Sequence, residues 1–438
     1  MPPSRTRIGC LVVMLLPLVC RAQSLQETVL RALAQYPSIA SAHYKTESAK
    51  ADITRARGAH WPQLSWSGTY NDYHSNGLTD RWIQTPVLNI NLWSGGRIQS
   101  DVERAEATSK AAQQQESLTR DDVALVSSEA YLLWAYQKQM ASLAQDNLSA
   151  HQKILNDFQV ITQVDPGRRI DLEQAQVRYD NARLALIRIE SDMRVAAERV
   201  ARMLMAPVPT EPSGLDLTPG IPYTTLDQAE IQLNDQQPTI ARLLAQLEAA
   251  QASVRYAQAQ SALTVNLSHS KLAIAGLAQG QYVTQLQLNL PLIDGGTARG
   301  AVESAQANLQ SLQADLAETR LLLREQLAAA WTNWHWAKER ADMGHAQART
   351  AQNLAYGYEQ QFRAGRRALL DLLNIQSDLF TYKSNAATAA HESRLSQVRI
   401  LANLGQLAKA YTALPQEITS IGPAVINFSP TTTPQHPE

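Results

Sequence analysis

The chain has 438 residues, 39 Lys and Arg against 40 Asp and Glu, and a formal net charge of −1. That balance gives no basic footprint for nucleic acid. Only Cys10 and Cys20 exist, and both lie near the N-terminus, so no disulfide framework and no thiol chemistry is expected in the body of the protein.

Arg5 and Arg7 precede an apolar run from Ile8 to Val19, followed by Cys20-Arg21-Ala22. This pattern predicts a signal peptide over 1–22, cleaved after Ala22. Removing it would leave a net charge of −4. A lipid-modified Cys20 is the rival processing. It wants a small residue just before the cysteine, and Val19 is not small.

Residues 97 to 165 contain neither Gly nor Pro. Ordinary helices average about 11 to 12 residues, so this tract predicts a far longer one. Leu118, Leu125 and Leu132 recur at seven residues, and Leu309, Leu316 and Leu323 do so in the second half. Such seams, with Ala between them, predict long helices packed side by side.

The chain also repeats itself. Gln35-Tyr36-Pro37-Ser38-Ile39 resembles Gln236-Gln237-Pro238-Thr239-Ile240, and Leu92-Trp93-Ser94-Gly95-Gly96 resembles Leu292-Ile293-Asp294-Gly295-Gly296. Tyr131, Trp134 and Tyr136 match Trp331, Trp334 and Trp336, and Asp171-Leu172 matches Asp371-Leu372. The offset stays near 200, so two tandem copies are predicted, at 23–206 and 225–412. Between them 207–224 is a Pro-rich linker, and 413–438 is expected to be a disordered tail.

Each copy carries two strand-like stretches before its Gly-Gly: about Gln63–Tyr73 and Thr85–Leu92, then Thr264–Ala275 and Val283–Leu292. Leu286, Leu288, Leu290 and Leu292 alternate with Gln285, Gln287, Asn289 and Pro291, leaving one apolar face. The length suits a tilted membrane strand of roughly 9 to 11 residues. Trp61, Trp66, Tyr70, Tyr73, Trp82 and Trp93 cluster there, as residues at a lipid–water interface do. A water-soluble hairpin with one buried face has the same pattern. If the strands lie in lipid, four cannot close a barrel, and an open edge there leaves backbone groups unpaired. Several chains would have to pool them.

The order of signal, strand pair, Gly-Gly, long helix, turn with Gly-Arg, Asp-Leu and long helix, all repeated, resembles the TolC-like outer-membrane efflux family over nearly all of 24–412. The sharpest local signatures are Leu290-Pro291-Leu292-Ile293-Asp294-Gly295-Gly296 and the stretch from Phe362 to Leu373. The latter is similar to members that serve type I secretion. The resemblance implies a mainly α fold with a small β part. Long helical hairpins would form a trimeric periplasmic tunnel, continuous with a shared 12-stranded outer-membrane β-barrel of four strands per chain. It implies a homotrimer that docks a periplasmic adaptor and an inner-membrane transporter, acts as a passive exit duct, sits in outer-membrane lipid and needs no cofactor. A periplasmic coiled-coil scaffold or adaptor without a barrel is the alternative.

No phosphate loop and no nucleophile elbow occurs. His391-Glu392 begins like a zinc-protease helix, but position 395 is Leu. Neither catalysis nor a metal site is expected. The informative segments are the far turns of the two hairpins, around Asp165–Asp171 and Ala364–Asp371. Gly is expected to supply the reversal in each. Asp near a helix start suits the helix dipole by itself. The resemblance implies a periplasmic constriction formed by Asp171, Asp371, Asn374, Arg367 and Phe362. Arg367 would tie one hairpin to its neighbour through Asp171. Phe362 stands where the family's best-known closed gate has a Tyr, and Asn374 where that gate has a second Asp. Gly167, Arg168, Arg169, Gly365 and Arg366 would meet the adaptor.

Overall fold

The computed structural model describes residues 24–71, 81–215, 218–271 and 282–414. The proposed signal peptide and nearly all of the proposed tail fall outside the described residues. Nine helices and four strands are described: α1 (Leu25–Gln35), α2 (Pro37–Gly58), β1 (Gln63–Asn71), β2 (Arg81–Trp93), α3 (Arg97–Val164), α4 (Arg169–Leu204), α5 (Leu226–Glu230), α6 (Pro238–Gln258), β3 (Thr264–Lys271), β4 (Tyr282–Asn289), α7 (Thr297–Arg363), α8 (Leu369–Asn403) and α9 (Leu407–Ala413).

Helices α3 and α7 have 68 and 67 residues. At ~1.5 Å per residue each is about 100 Å long. Both start from a Gly-Gly turn whose glycines adopt positive φ, with Gly96 at 88° and Gly296 at 89°. The side chain two residues before each second glycine caps the helix. Ser94 Oγ accepts the N–H of Ile98 at 3.3 Å, and Asp294 Oδ2 accepts that of Ala298 at 2.7 Å. Those bonds satisfy amide donors that a helix start leaves free.

The long helices pack through small side chains. Ala124, Ala130, Ala135 and Ala144 of α3 are buried, as are Ala337, Ala341, Ala351 and Ala355 of α7. At Gly344 a Cβ would lie 3.1 Å from Ala386, which measures how closely α7 approaches α8. The first part of α3 runs between α2 and α6, tied by Arg57–Glu106 and Arg255–Glu103. Its second part runs between α4 and α8, tied to α8 by Arg399–Glu129. Helix α7 packs on α6 and α8. The result is a wall of helices with α2 and α4 at one edge and α7 at the other. Both edges keep apolar side chains exposed: Ile170, Val177 and Leu184 on α4, and Leu321, Met343 and Leu354 on α7.

The core sits half-way along, where short elements wrap the wall. Leu25 and Val29 of α1, Tyr131 and Trp134 of α3, Val200 and Met203 of α4, and Leu407 and Tyr411 of α9 form one buried cluster. Trp331 and Trp334 pack against Ala229 of α5, Tyr223 and Leu226 in another. The aromatic groups that recur in the two copies thus pack against a belt of short elements, although Trp336 stays half-exposed. The proline-rich segment is pinned here as well. Tyr131 Oη lies 2.8 Å from the N–H of Ser213 and 2.9 Å from its carbonyl oxygen.

The four strands form one antiparallel sheet in the order β1-β2-β3-β4. The second strand of each copy differs from its expected extent. β2 is longer, from Arg81 to Trp93, and β4 stops at Asn289 rather than Leu292. Among the described residues β2 has a partner strand on both sides, whereas β4 has one on one side only.

Candidate functional site

The candidate residues fall in two regions: the sheet at one end and the hairpin tips at the other. In the sheet, the register decides what each face presents. Leu88 lies opposite Leu64, and Ile90 opposite Leu267, which in turn faces Leu286. Paired residues share a face. That face therefore carries Leu64, Trp66, Leu88, Ile90, Leu267 and Leu286, with Tyr70 packed on Trp82 at 5.5 Å towards one end. The opposite face is polar. Gln63, Asn89, Ser268 and Gln285 form one row and Asn91, Asn266 and Gln287 the next. Asn91 Nδ2 donates to Asn266 Oδ1 at 2.8 Å. Leu64, Trp66 and Leu286 are exposed in the single chain, so the apolar face is not a soluble core.

The two outer edges of the sheet, on β1 and β4, have no partner strand among the described residues. Polar on one face, apolar and exposed on the other, and open at both edges, the sheet has the makings of a barrel segment in lipid.

At the tips the two copies build the same device from different residues. In the first hairpin Arg168 Nε donates to Asp171 Oδ2 at 3.0 Å, and its guanidinium carbon stands 5.2 Å from the centre of the Phe158 ring. In the second, Arg367 Nη1 donates to Asp371 Oδ2 at 3.4 Å and the guanidinium covers the Tyr358 ring at 3.8 Å. Each Asp lies in the first turn of its returning helix, where a carboxylate favours the exposed N–H groups. Within one chain, then, Asp171 is held by Arg168 and Arg367 by Asp371. The expected pairing of Arg367 with Asp171 is not made there.

The reversals differ too. Gly365 adopts φ 70°, as a glycine-made turn requires. Gly167 does not. A short tight turn over Pro166–Arg168 makes that reversal, with Asp165 Oδ1 accepting the N–H of Gly167 at 3.1 Å. Proline has already set the bend, so the expectation of a glycine-made turn fails at Gly167.

Phe362 packs its ring against Phe158 at 5.7 Å, joining the two hairpins of the chain. Asn374 Oδ1 accepts from Arg178 Nη2 at 3.1 Å, a second tie from α4 to α8. Lys153 of α3 and Glu359 of α7 make a third at 2.8 Å. That bond holds the Glu359 carboxyl below its ordinary value. Asp371 and Asn374 line a groove of about 430 Å³ with Tyr358, Asp378 and Tyr382. Gly167, Arg169, Gly365 and Arg366 are exposed at the tips, and Arg168 is half-buried.

Two further groups went unnoticed in the sequence. His151, buried between α3 and its neighbours, has an Nδ1 without a hydrogen-bond partner. Burial, with Arg178 nearby, depresses its pKa to about 4. Asp121, also buried, accepts the N–H of Ala408 at 2.8 Å and so caps α9. Burial raises its pKa to about 6. Asp121 left no usable signal: copy two has the apolar Leu321 at the matching position, and Leu321 is exposed.

Among the described residues no group of side chains could hold a metal ion, and no helix is long and apolar enough to cross a membrane. The sequence profile of the family described as "Outer membrane efflux protein" matches residues 29–204 and again 231–406. The chain belongs to this family. Among curated relatives, the outer membrane efflux protein BepC of Brucella suis is 24% identical over 373 residues, covering 81% of this chain and 79% of that one. Protein CyaE of Bordetella pertussis is 24% identical over 404 residues, covering 88% and 85%. Among solved structures, the open state of the Neisseria gonorrhoeae MtrE outer membrane channel aligns with a TM-score of 0.74 at 18% identity, covering 87% of this chain and 89% of that one. The Vibrio cholerae outer membrane protein VceC aligns at 0.71 and 18% identity, covering 87% and 96%. The fold is that of these channels. As an outer membrane efflux protein, the chain is an export channel of the outer membrane, and the scaffold without a barrel is not supported. Nothing in the family points to catalysis.

Proposed function

We propose that three copies of this chain form a passive exit duct, closed at rest by the hairpin tips. The duct takes its energy and its opening signal from an inner-membrane transporter and a periplasmic adaptor. The observation that carries this reading is the sheet: four strands with an exposed apolar face and two open edges. In hydrocarbon each unpaired backbone group costs several kcal/mol, so the edges must close on other chains. Three sets of four strands give a 12-stranded barrel. The open edges of the helical wall, on α4 and α7, call for neighbours in the same way.

At the opposite end, three-fold symmetry sets three copies of Asp371 around one axis. A ring of carboxylates attracts cations and repels anions. The exposed tips, with Arg169 and Arg366, suit an adaptor whose own helices pack between the hairpins. The likeness of the Phe362–Leu373 stretch to type I secretion members favours large polypeptides as cargo. Small-molecule efflux is the second reading, favoured by the family description itself.

The test is fractionation followed by conductance. A heat-modifiable trimer in the outer membrane that forms discrete channels in planar bilayers is the expected result. A monodisperse monomer in plain buffer would overturn the proposal.

A further inference from the structure

The four strands contain no Asp or Glu, and their Arg and Lys residues, Arg81 and Lys271, both stand at the loop end of the sheet. The helices join the sheet at its opposite end. Side chains alternate along a strand, so Val265, Leu267, His269 and Lys271 of β3 share one face. Leu267 lies opposite Leu286, His269 opposite Thr284 and Lys271 opposite Tyr282. This is the apolar, exposed face of the sheet. Towards the loops its leucines give way to His269, Thr284, Lys271 and Tyr282.

These four side chains make a prepared group. His269 Nδ1 lies 2.8 Å from Thr284 Oγ1, and its ring stacks on Tyr282 with centres 5.4 Å apart and 3° between the planes. Two neighbours on β4 thus fix the imidazole, and Nε2 is the ring nitrogen left to an outside partner. Lys271 follows two residues on, about 7 Å along the strand. Residues 272–281, between Lys271 and Tyr282, contain no Asp or Glu that could neutralise it.

The first copy shows what the same place needs for anchoring alone. Gln63 faces Asn89 and Thr264 faces Asn289, so β1 matches β3 with one residue of slip from the offset of 200. Gly68 and Tyr70 therefore stand for His269 and Lys271, and Trp82 stands for Tyr282. There an aromatic pair, Tyr70 on Trp82, ends the apolar face without a cation. Aromatic rings suit a lipid–water boundary by themselves. The second copy keeps one ring, Tyr282, and sets a lysine opposite it. A charge facing lipid is unfavourable unless water or an anion meets it.

We propose that His269, Lys271 and Tyr282 hold the phosphorylated headgroup of a lipid in the outer leaflet. Lys271 supplies the charge. With the Thr284 hydroxyl donating to Nδ1, Nε2 carries the hydrogen and donates to a phosphate oxygen. Such charge-assisted bonds are the strong class for phosphate. The acyl chains lie along Leu267, Leu286 and Leu88, the last of which is the β2 partner of His269. With the helices in the periplasm, the loop end of the sheet stands at the outer leaflet. The inference rests on the proposed barrel and adds one bound lipid per chain, on the second hairpin only.

The test counts lipid on the full-length trimer in detergent by native mass spectrometry. The probes are lipid A, the same lipid with its phosphates removed, and inorganic phosphate. One lipid A per chain is expected. Removing both contacts, with His269→Gln and Lys271→Gln together, should weaken its binding at least about ten-fold. Lys271→Arg keeps the charge and should keep the lipid. The dephosphorylated lipid should bind wild type no better than lipid A binds the double variant, and inorganic phosphate should bind far more weakly than lipid A. The same spectra show whether each variant is trimeric. If the double variant fails to assemble, Lys271→Gln against Lys271→Arg decides, and equal binding in those two overturns the site. Equal binding of lipid A by wild type and the double variant, or of both lipids by wild type, overturns it while the duct stands. Inorganic phosphate bound as tightly as lipid A would make this a free-anion site and overturn the lipid. If the unmodified chain forms no trimer, the duct fails and the lipid site with it.

Discussion

Arg178, on the returning helix of the first hairpin, donates to Asn374 of the second at 3.1 Å. The gate that this stretch resembles carries a second Asp at the place of position 374. Here that position is neutral, and its amide oxygen is engaged by a cation from the other hairpin. The bond joins two rods that must part if the tips are to open. The bond is solvent-exposed, so it contributes only about 0.5–1 kcal/mol per chain. Arg178→Ala should therefore raise the open fraction about two- to five-fold for each chain whose tip must part, read as open time in planar bilayers. Asn374→Asp would convert the contact to an ion pair and should lengthen the closed times. Identical gating in both variants would remove the bond from the closing mechanism.

Arg367 serves Asp371 within its own hairpin and covers the Tyr358 ring. Arg367→Ser removes both contacts and leaves the Asp371 carboxylate free. Larger conductance is expected, from a looser tip, together with stronger cation preference, from three unmasked charges. Asp371→Asn should act oppositely on selectivity and lower the cation-to-anion permeability ratio several-fold. It should also weaken block by multivalent cations. Reversal potentials in a salt gradient check both. An unchanged ratio in Asp371→Asn would exclude a carboxylate ring at that position.

The large elements were legible because their signals are periodic. A tract of 69 residues without Gly or Pro, from Arg97 to Asp165, announced α3. The alternation of Leu286 and Leu288 with Gln285 and Gln287 announced β4. The constant offset exposed the repeat. Pairings at the tips were not legible, because Asp171 has both Arg168 and Arg367 within the plausible set and sequence spacing cannot rank them. The burial of His151 and Asp121 was hidden for a related reason. Each is a polar residue on a helix with polar neighbours, and only tertiary packing decides that it faces inward. Gly167 misled because a glycine in a turn suggests positive φ, whereas Asp165 and Pro166 had already made the bend.

Asp121 gives a pH test of the belt. Its carboxyl titrates at about 6 when folded, raised mainly by burial, against about 3.9 in an unfolded chain. The folded state therefore holds a proton more tightly. Between pH 4 and pH 6 stability falls as pH rises, and above pH 6 the full cost of burying the charge is present, on the order of 2–3 kcal/mol. Asp121→Asn keeps an acceptor for the N–H of Ala408 without the charge. At pH 7.5 the variant trimer should melt several degrees above wild type, and the gap should close by pH 4. A variant that melts lower at pH 7.5 would mean that the ionised carboxylate earns its place through a stronger cap.

His151 works in the opposite direction. Its folded pKa of about 4 lies below the unfolded value of about 6.5, because burial and the nearby Arg178 disfavour the cation. Stability is complete above pH 6.5 and declines as pH falls towards 4, where the penalty approaches about 3 kcal/mol per chain. The loss is local. His151 sits in α3 one turn from the buried and unpartnered Asn147 Oδ1, in the stretch that packs on α4 and α8. A charge there repels Arg178, the same side chain that holds Asn374. Acid should therefore loosen the hairpins before it melts the belt, which Asp121 stabilises at the same pH. Protease cutting in α4, compared with cutting near α9, should increase selectively between pH 6.5 and pH 4.5. His151→Phe should abolish that increase while leaving the profile at pH 7.5 intact. Equal acid sensitivity in wild type and variant would show that another group sets it.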